Sequence, residues 1–222
     1  TCEGIYLTDI NGKRYMDFHG NSVHQVGYKN AYVTERLKQQ LDLLPFSPRR
    51  YTNKMAIQLA EQLVRLLPAS LSRVLFAPGG TSAVGMALKI ARRITGKHKV
   101  VSIQGSFHGA SLDAISVGGE EQFRKYMGQL FPETIFIPQA DAYRNGEDQE
   151  LQFAELLDEV LTRHAEVGAF IAETIRNTDV QIPSKRYWEL VREVCDRHQV
   201  LLILDEIPIA FGRMGTMFAF EQ

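Results

Sequence analysis

Cysteine is nearly missing from this chain: its 222 residues include two, Cys2 and Cys195, far apart and without metal-ligand spacing. That excludes a disulfide framework and a thiolate zinc site, and it fits a reducing cytoplasm. Long apolar runs are missing too. The longest purely aliphatic stretch, Val200-Leu-Leu-Ile-Leu204, falls far short of the roughly 18 residues that span a bilayer, and no signal-like segment opens the chain. A soluble protein is therefore expected. Charge of one sign is also missing, since 25 basic residues balance 26 acidic ones to a net −1, and the basic residues are scattered. No electrostatic footprint for nucleic acid results. There is no internal repeat and no low-complexity tract. What remains is ordinary globular material, 45% hydrophobic and 23% charged, long enough to bury a substantial core.

Ile5-Tyr-Leu7 and Arg14-Tyr-Met-Asp-Phe18 flank Asn11-Gly12, a pair that supplies the positive φ angles of a tight turn, so a small β-hairpin is predicted at the start. Val33, Leu37, Leu41 and Leu44 recur at helical spacing over 31–44. A Pro-rich loop with Arg49 and Arg50 separates that helix from a second over 55–67, whose Ala56, Leu59, Ala60, Leu63, Leu66 and Leu67 make one apolar face ending at Pro68. From there short apolar strands alternate with amphipathic helices. Strands are predicted at 73–77, 99–103, 134–137, 169–172 and 200–204, and helices at 81–95, 151–163 and 187–198. Such alternation implies an α/β fold, a mostly parallel sheet covered by helices on both faces. The small N-terminal segment is expected to occupy 1–45 and the large domain 46–222.

Open sheets of this kind bind ligands beyond the carboxyl ends of their strands, and three suspicious segments fall there. Ala77-Pro-Gly-Gly-Thr-Ser82 enters a helix. Gly80 lets backbone approach a ligand closely, the first-turn N–H groups carry about +0.5 of charge, and Thr81 and Ser82 add hydroxyls, which together suit a phosphate. A turn capped by Thr or Ser is the plain alternative. In Gln104-Gly-Ser-Phe-His-Gly109, Phe107 can stack on a flat ring with His108 beside it, or both can be core residues. Asp205 and Glu206 follow five aliphatics directly. A carboxylate at the end of a buried strand must be paired, and a protonated ring nitrogen about 4 Å away would be worth about 4 kcal/mol. Metal ligation or helix capping by Asp205 remains open. Glu173, ending Phe170-Ile-Ala172, repeats the pattern. An anion cradle, an aromatic plate and a carboxylate describe a site for a planar, phosphorylated, cationic ring.

In these segments, and from Gly4-Ile-Tyr-Leu-Thr-Asp-Ile-Asn-Gly12 to Asp205-Glu-Ile-Pro-Ile-Ala-Phe-Gly-Arg-Met-Gly215, the chain resembles the class III aminotransferases of fold type I. The resemblance implies pyridoxal 5′-phosphate (PLP) as cofactor, with Gly80 and Thr81 at its phosphate and Phe107 on one face of the ring, with His108 beside it. It puts Ile207 on the other face, Asp205 at the pyridine nitrogen and Glu173 near the substrate. Arg213 falls in a motif whose role is as readily structural as functional. Gly79 and Ser82 depart from the usual Ser-Gly-Thr-Glu stretch, and Pro208 stands where a Gln is common. The family's Schiff-base lysine lies downstream of the Asp-Glu strand, and no lysine follows Lys185. Thr1 is no translation start, and the chain is expected to be a fragment that is inert alone. The family implies a homodimer and transamination of a primary amine or amino acid.

Phe18-His-Gly-Asn-Ser-Val-His-Gln-Val-Gly-Tyr28, Pro45 to Asn53 and Ser106 to Glu120 resemble a branch associated with aminophosphonate breakdown that eliminates ammonia instead. Arg49 and Arg50 would suit a phosphonate there, because guanidinium forks match its oxygens. The rival outside PLP chemistry is a phosphate-ligand binding module without covalent catalysis.

Overall fold

The computed structural model describes every residue except 21–24, 49, 129, 131 and 132, with the side chain of Glu147 also set aside. The chain divides into two compact units, one of residues 1–75 with 211–213, the other of 76–210 with 214–222.

The first unit opens with β1 (Cys2–Glu3), β2 (Tyr6–Thr8) and β3 (Arg14–Met16), paired antiparallel in that order. A third strand thus joins the expected hairpin. Tyr6 faces Met16 and Thr8 faces Arg14, so the connection is longer than a two-residue turn. Asp9 organises it: its Oδ1 accepts from the backbone N–H of Asn11 (2.8 Å) and Lys13 (3.0 Å). Because that side chain replaces part of the turn's backbone bonding, only Gly12 of the Asn-Gly pair needs a positive φ, +82°. Helix α1 (Ala31–Leu43) is capped by Asn30, which accepts from Val33 N, and α2 (Lys54–Leu66) by Asn53, which accepts from Met55 N and Ala56 N. Their apolar stripes are not buried, Leu37 and Leu41 each being 60% exposed.

The second unit contains α3 (Gly80–Thr95), β4 (Lys99–Ile103), α4 (Leu112–Val117), α5 (Glu121–Arg124), β5 (Thr134–Ile137) and α6 (Ala142–Asn145). There follow α7 (Glu147–Arg163), β6 (Val167–Glu173), α8 (Lys185–Arg197), β7 (Leu201–Asp205) and a 3-10 turn at Ala219–Glu221. The strands pair in parallel in the order β5-β4-β6-β7. Successive side chains on a strand point to opposite faces, and here the two faces have separate cores. Val101, Phe170 and Ala172 pack with Leu157 of α7 and Tyr187, Val191 and Cys195 of α8. Val100 and Ile171 pack with Val84 and Leu88 of α3 and Ala114 and Val117 of α4. All seven residues of β6 are buried. Burial raises the Cys195 thiol to about 12, so it serves as a core hydrophobe and not as a nucleophile.

One predicted strand does not form. Residues 73–77 take no strand geometry, and Leu75 and Phe76 are 59% and 46% exposed. An apolar run becomes a strand only where a neighbouring edge accepts its hydrogen bonds, and no described strand lies against this one.

Candidate active site

The ends of β4, β6 and β7 bring the predicted site residues of the second unit together. Glu173 and Asp205 are register partners, the last rung of the parallel β6–β7 ladder, so two carboxylates sit side by side at the sheet's carboxyl edge. Both are buried. They are kept apart in function by what each one accepts.

Asp205 Oδ2 accepts from His108 Nδ1 at 2.8 Å, and its Oδ1 accepts from Ile207 N at 3.2 Å. His108 is buried as well, and its Nε2 has no hydrogen-bond partner among the described residues. A buried carboxylate beside an imidazole is an ion pair when the ring is protonated and a charge-assisted hydrogen bond when it is neutral; either way the histidine fixes the carboxylate's orientation. Glu173 divides its carboxylate between two backbone amides. Oε1 accepts from Phe107 N (3.1 Å) and Oε2 from Asn177 N (3.0 Å). Burial, reinforced by the Asp205 charge, holds the Glu173 carboxyl above its ordinary value of 4.5.

The 104–109 loop is braced from below. Ser106 Oγ donates to Ile103 O (2.8 Å) and accepts from Gly119 N (3.2 Å), while Ser102 Oγ donates to Val117 O (2.6 Å). Phe107 meets Phe123 of α5 with ring centroids 5.0 Å apart and planes tilted by 49°. Phe123 gave no signal in the sequence, because one aromatic in a four-residue helix has no period to reveal it. Gly109 adopts φ +123°, and a Cβ there would lie 2.3 Å from Thr81 Oγ1, so the loop passes directly over the start of α3.

That helix begins without a side-chain cap, at an extended Gly79. Its first-turn donors at Gly80 and Thr81 are left for another acceptor. A Cβ on Gly80 would come within 2.8 Å of Ile207 Cδ1, which places Ile207 against the same helix start. Gly80, Thr81, Gly109, His108, Asp205 and Ile207 therefore form a continuous neighbourhood, with Phe107 and Glu173 attached through the backbone bond between them. Glu206, beside Asp205, was noticed in the sequence only as one of two acids; its contacts are with the backbone and with Thr174.

Arg49 lies outside the described residues. Arg50 is exposed next to a turn closed by Tyr51 N donating to Pro48 O (2.9 Å), and it belongs to the first compact unit, as does Arg213. Among the described residues no cluster of His, Cys, Asp and Glu could hold a metal ion. Nor is any described helix long and apolar enough to cross a membrane.

Among curated proteins, (R)-1-hydroxy-2-aminoethylphosphonate ammonia-lyase of Vibrio splendidus is 50% identical over 239 residues, covering 99% of this chain and 50% of that protein. Acetylornithine aminotransferase of Archaeoglobus fulgidus is 36% identical over 222 residues, covering 99% of this chain and 55% of its own length. The chain thus spans about half the length of the curated relatives it matches. The fold superimposes on an (S)-enantioselective omega-transaminase from Thermomicrobium roseum with a TM-score of 0.94 at 29% identity, over 100% of this chain and 53% of that one. It also superimposes on taurine:2-oxoglutarate aminotransferase from Bifidobacterium kashiwanohense, solved with PLP and glutamate, with a TM-score of 0.92 at 29% identity over 100% of this chain and 52% of that one. Residues 1–222 match the model of the family described as aminotransferase class-III, and with these likenesses the chain belongs to that PLP-dependent family.

Proposed function

We propose that the full-length protein uses PLP to remove the amino group of a primary amine or amino acid, and that residues 46–222 supply the cofactor-binding half of its large domain. The observation that carries this reading is the buried His108–Asp205 pair beside the uncapped start of α3. The residues fit the cofactor. A buried carboxylate, oriented by an imidazole, suits a protonated ring nitrogen, and glycine-lined N–H donors at a helix start suit a phosphate monoester. Bound PLP supplies an electron sink for the bond broken at the amine-bearing carbon.

In this reading Asp205 holds a proton on the ring nitrogen and His108 holds Asp205. The amides of Gly80 and Thr81 bind the phosphate. Phe107 and Ile207 would pack against the two faces of the ring and keep water from them. Glu173 acts through Phe107: its carboxylate fixes the backbone from which the aromatic plate projects. A homodimer is part of the proposal, supported by the exposed apolar stripe of α1.

Most of the relatives are named aminotransferases, which favours transfer of the amino group to a keto acid. Elimination of ammonia from a hydroxylated 2-aminoethylphosphonate is favoured by one observation, the 50% identity to the Vibrio lyase against 36% to the acetylornithine aminotransferase of Archaeoglobus. For that substrate the guanidinium forks of Arg49 and Arg50 suit the phosphonate. Two measurements on the full-length protein decide. Titration with PLP, followed by visible absorbance, must show saturable binding; a phosphate-binding module without PLP chemistry shows none. Incubation with the hydroxylated aminophosphonate and no keto acid must release ammonia if elimination is right, whereas ammonia-free turnover that requires a keto acid establishes transfer.

A further inference from the structure

The carboxylate of Glu206 is occupied entirely by its own surroundings. Oε1 accepts from Thr174 Oγ1 (2.9 Å) and Phe220 N (2.8 Å), and Oε2 accepts from Ala219 N (2.9 Å). Its carbonyl accepts from Ile209 N (3.1 Å) and Ala210 N (2.9 Å), closing the turn that carries Ile207. Thr174 is the residue after Glu173, and Glu206 the residue after Asp205, so the Thr174–Glu206 bond is a side-chain rung one step beyond the last backbone rung of β6 and β7. Below it Ile175, Ile209 and Ala219 form a small core of their own. One side chain thus joins three segments: the end of β6, the 206–210 turn and the 219–221 turn.

We propose that Glu206 is a positioning residue for the cofactor, setting the separation of Glu173 from Asp205 and the placement of Ile207 against Gly80. The proposal rests on the PLP reading above. All three partners of Glu206 are donors, so the clamp requires an acceptor at both oxygens. Glutamine offers one acceptor and turns an N–H donor toward a donor, which leaves at least one bond unmade. Thr174→Val removes only the rung between the strands and retains the bonds to Ala219 and Phe220.

The test compares full-length wild type, Glu206→Gln and Thr174→Val. Without cofactor, hydrogen exchange should quicken at residues 206–210 in both variants. With PLP, both should shift the pH midpoint of the cofactor's visible absorbance and lower kcat by at least about fivefold with KM nearly unchanged, the pattern of a lost transition-state alignment. Glu206→Asp should recover part of the shift. If wild type binds PLP and both variants show its absorbance titration, with only the melting temperature lowered, the clamp is merely structural and the proposal is wrong. Should Glu206→Gln not fold, Thr174→Val decides alone. Absence of PLP binding by wild type overturns the underlying reading instead, and this inference with it.

Discussion

His108 is the residue on which the site's electrostatics turn. Among the described residues, replacing it by alanine leaves the Asp205 carboxylate buried with only the 3.2 Å bond from Ile207 N. A hydrogen bond to a charged group is worth about 1.5–3 kcal/mol, so His108→Ala in the full-length protein is expected to lower turnover about 10- to 100-fold while PLP still binds; unchanged turnover would remove the orienting role. Gly109 tests the other side of the neighbourhood. At φ +123° with Thr81 atoms 2.3–3.0 Å from a new Cβ, two of them on the rigid start of α3, alanine has nowhere to go. Gly109→Ala should cost about 1–3 kcal/mol in urea unfolding and weaken PLP affinity. Gly80→Ala meets only side-chain atoms, Ile207 Cδ1 at 2.8 Å and Cγ2 at 3.2 Å, so Ile207 must shift, and the loss in urea unfolding should be smaller than for Gly109→Ala. Sequence reading singled out Gly80, Thr81, Phe107, His108 and Asp205 because each stands within two residues of a glycine or at the end of an apolar run. It could not find that His108 pairs with Asp205, since 97 residues separate them and only the parallel register brings them together.

Elements closed off by polar residues or proline are those the sequence defined best. The strands at 99–103 and 134–137 form over the predicted residues, whereas α7 starts four residues before the predicted 151, in a polar stretch with no period. The short helices α4, α5 and α6 are less than two turns long, too few to repeat an apolar face. The missing strand at 73–77 has a different cause: its pattern was right, but strand formation depends on a partner that local sequence does not contain. For α8 the decisive local feature is its cap, with Ser184 accepting from Tyr187 N at 3.1 Å while Glu150 accepts from Ser184 N at 2.5 Å. Ser184→Ala is expected to cost about 1 kcal/mol, measured by denaturant titration. A cost near zero would mean that packing against α7 alone fixes where the helix begins.

For the whole molecule, Glu173 makes stability depend on pH in an uncommon direction. Its folded carboxyl binds a proton more tightly than the unfolded one, so its contribution is fully present below about 4.5 and declines as pH rises through the raised value. Asp179, held low by the guanidinium of Arg176, contributes in the opposite sense, with stability present above its ordinary 3.8 and lost on acidification. The difference in unfolding free energy between wild type and Glu173→Gln should therefore shrink as pH rises from below 4.5; a difference that grows would contradict the assignment of burial as the dominant cause. Another global property is already installed in the core of the second unit. Cys195 is fully buried and barely ionised at neutral pH, while Cys2 is partly accessible. A pulse of alkylating reagent should mark Cys2 at once and Cys195 only in molecules whose α8 has detached from the sheet, so mass spectrometry of these two thiols times the opening of the core without any introduced label.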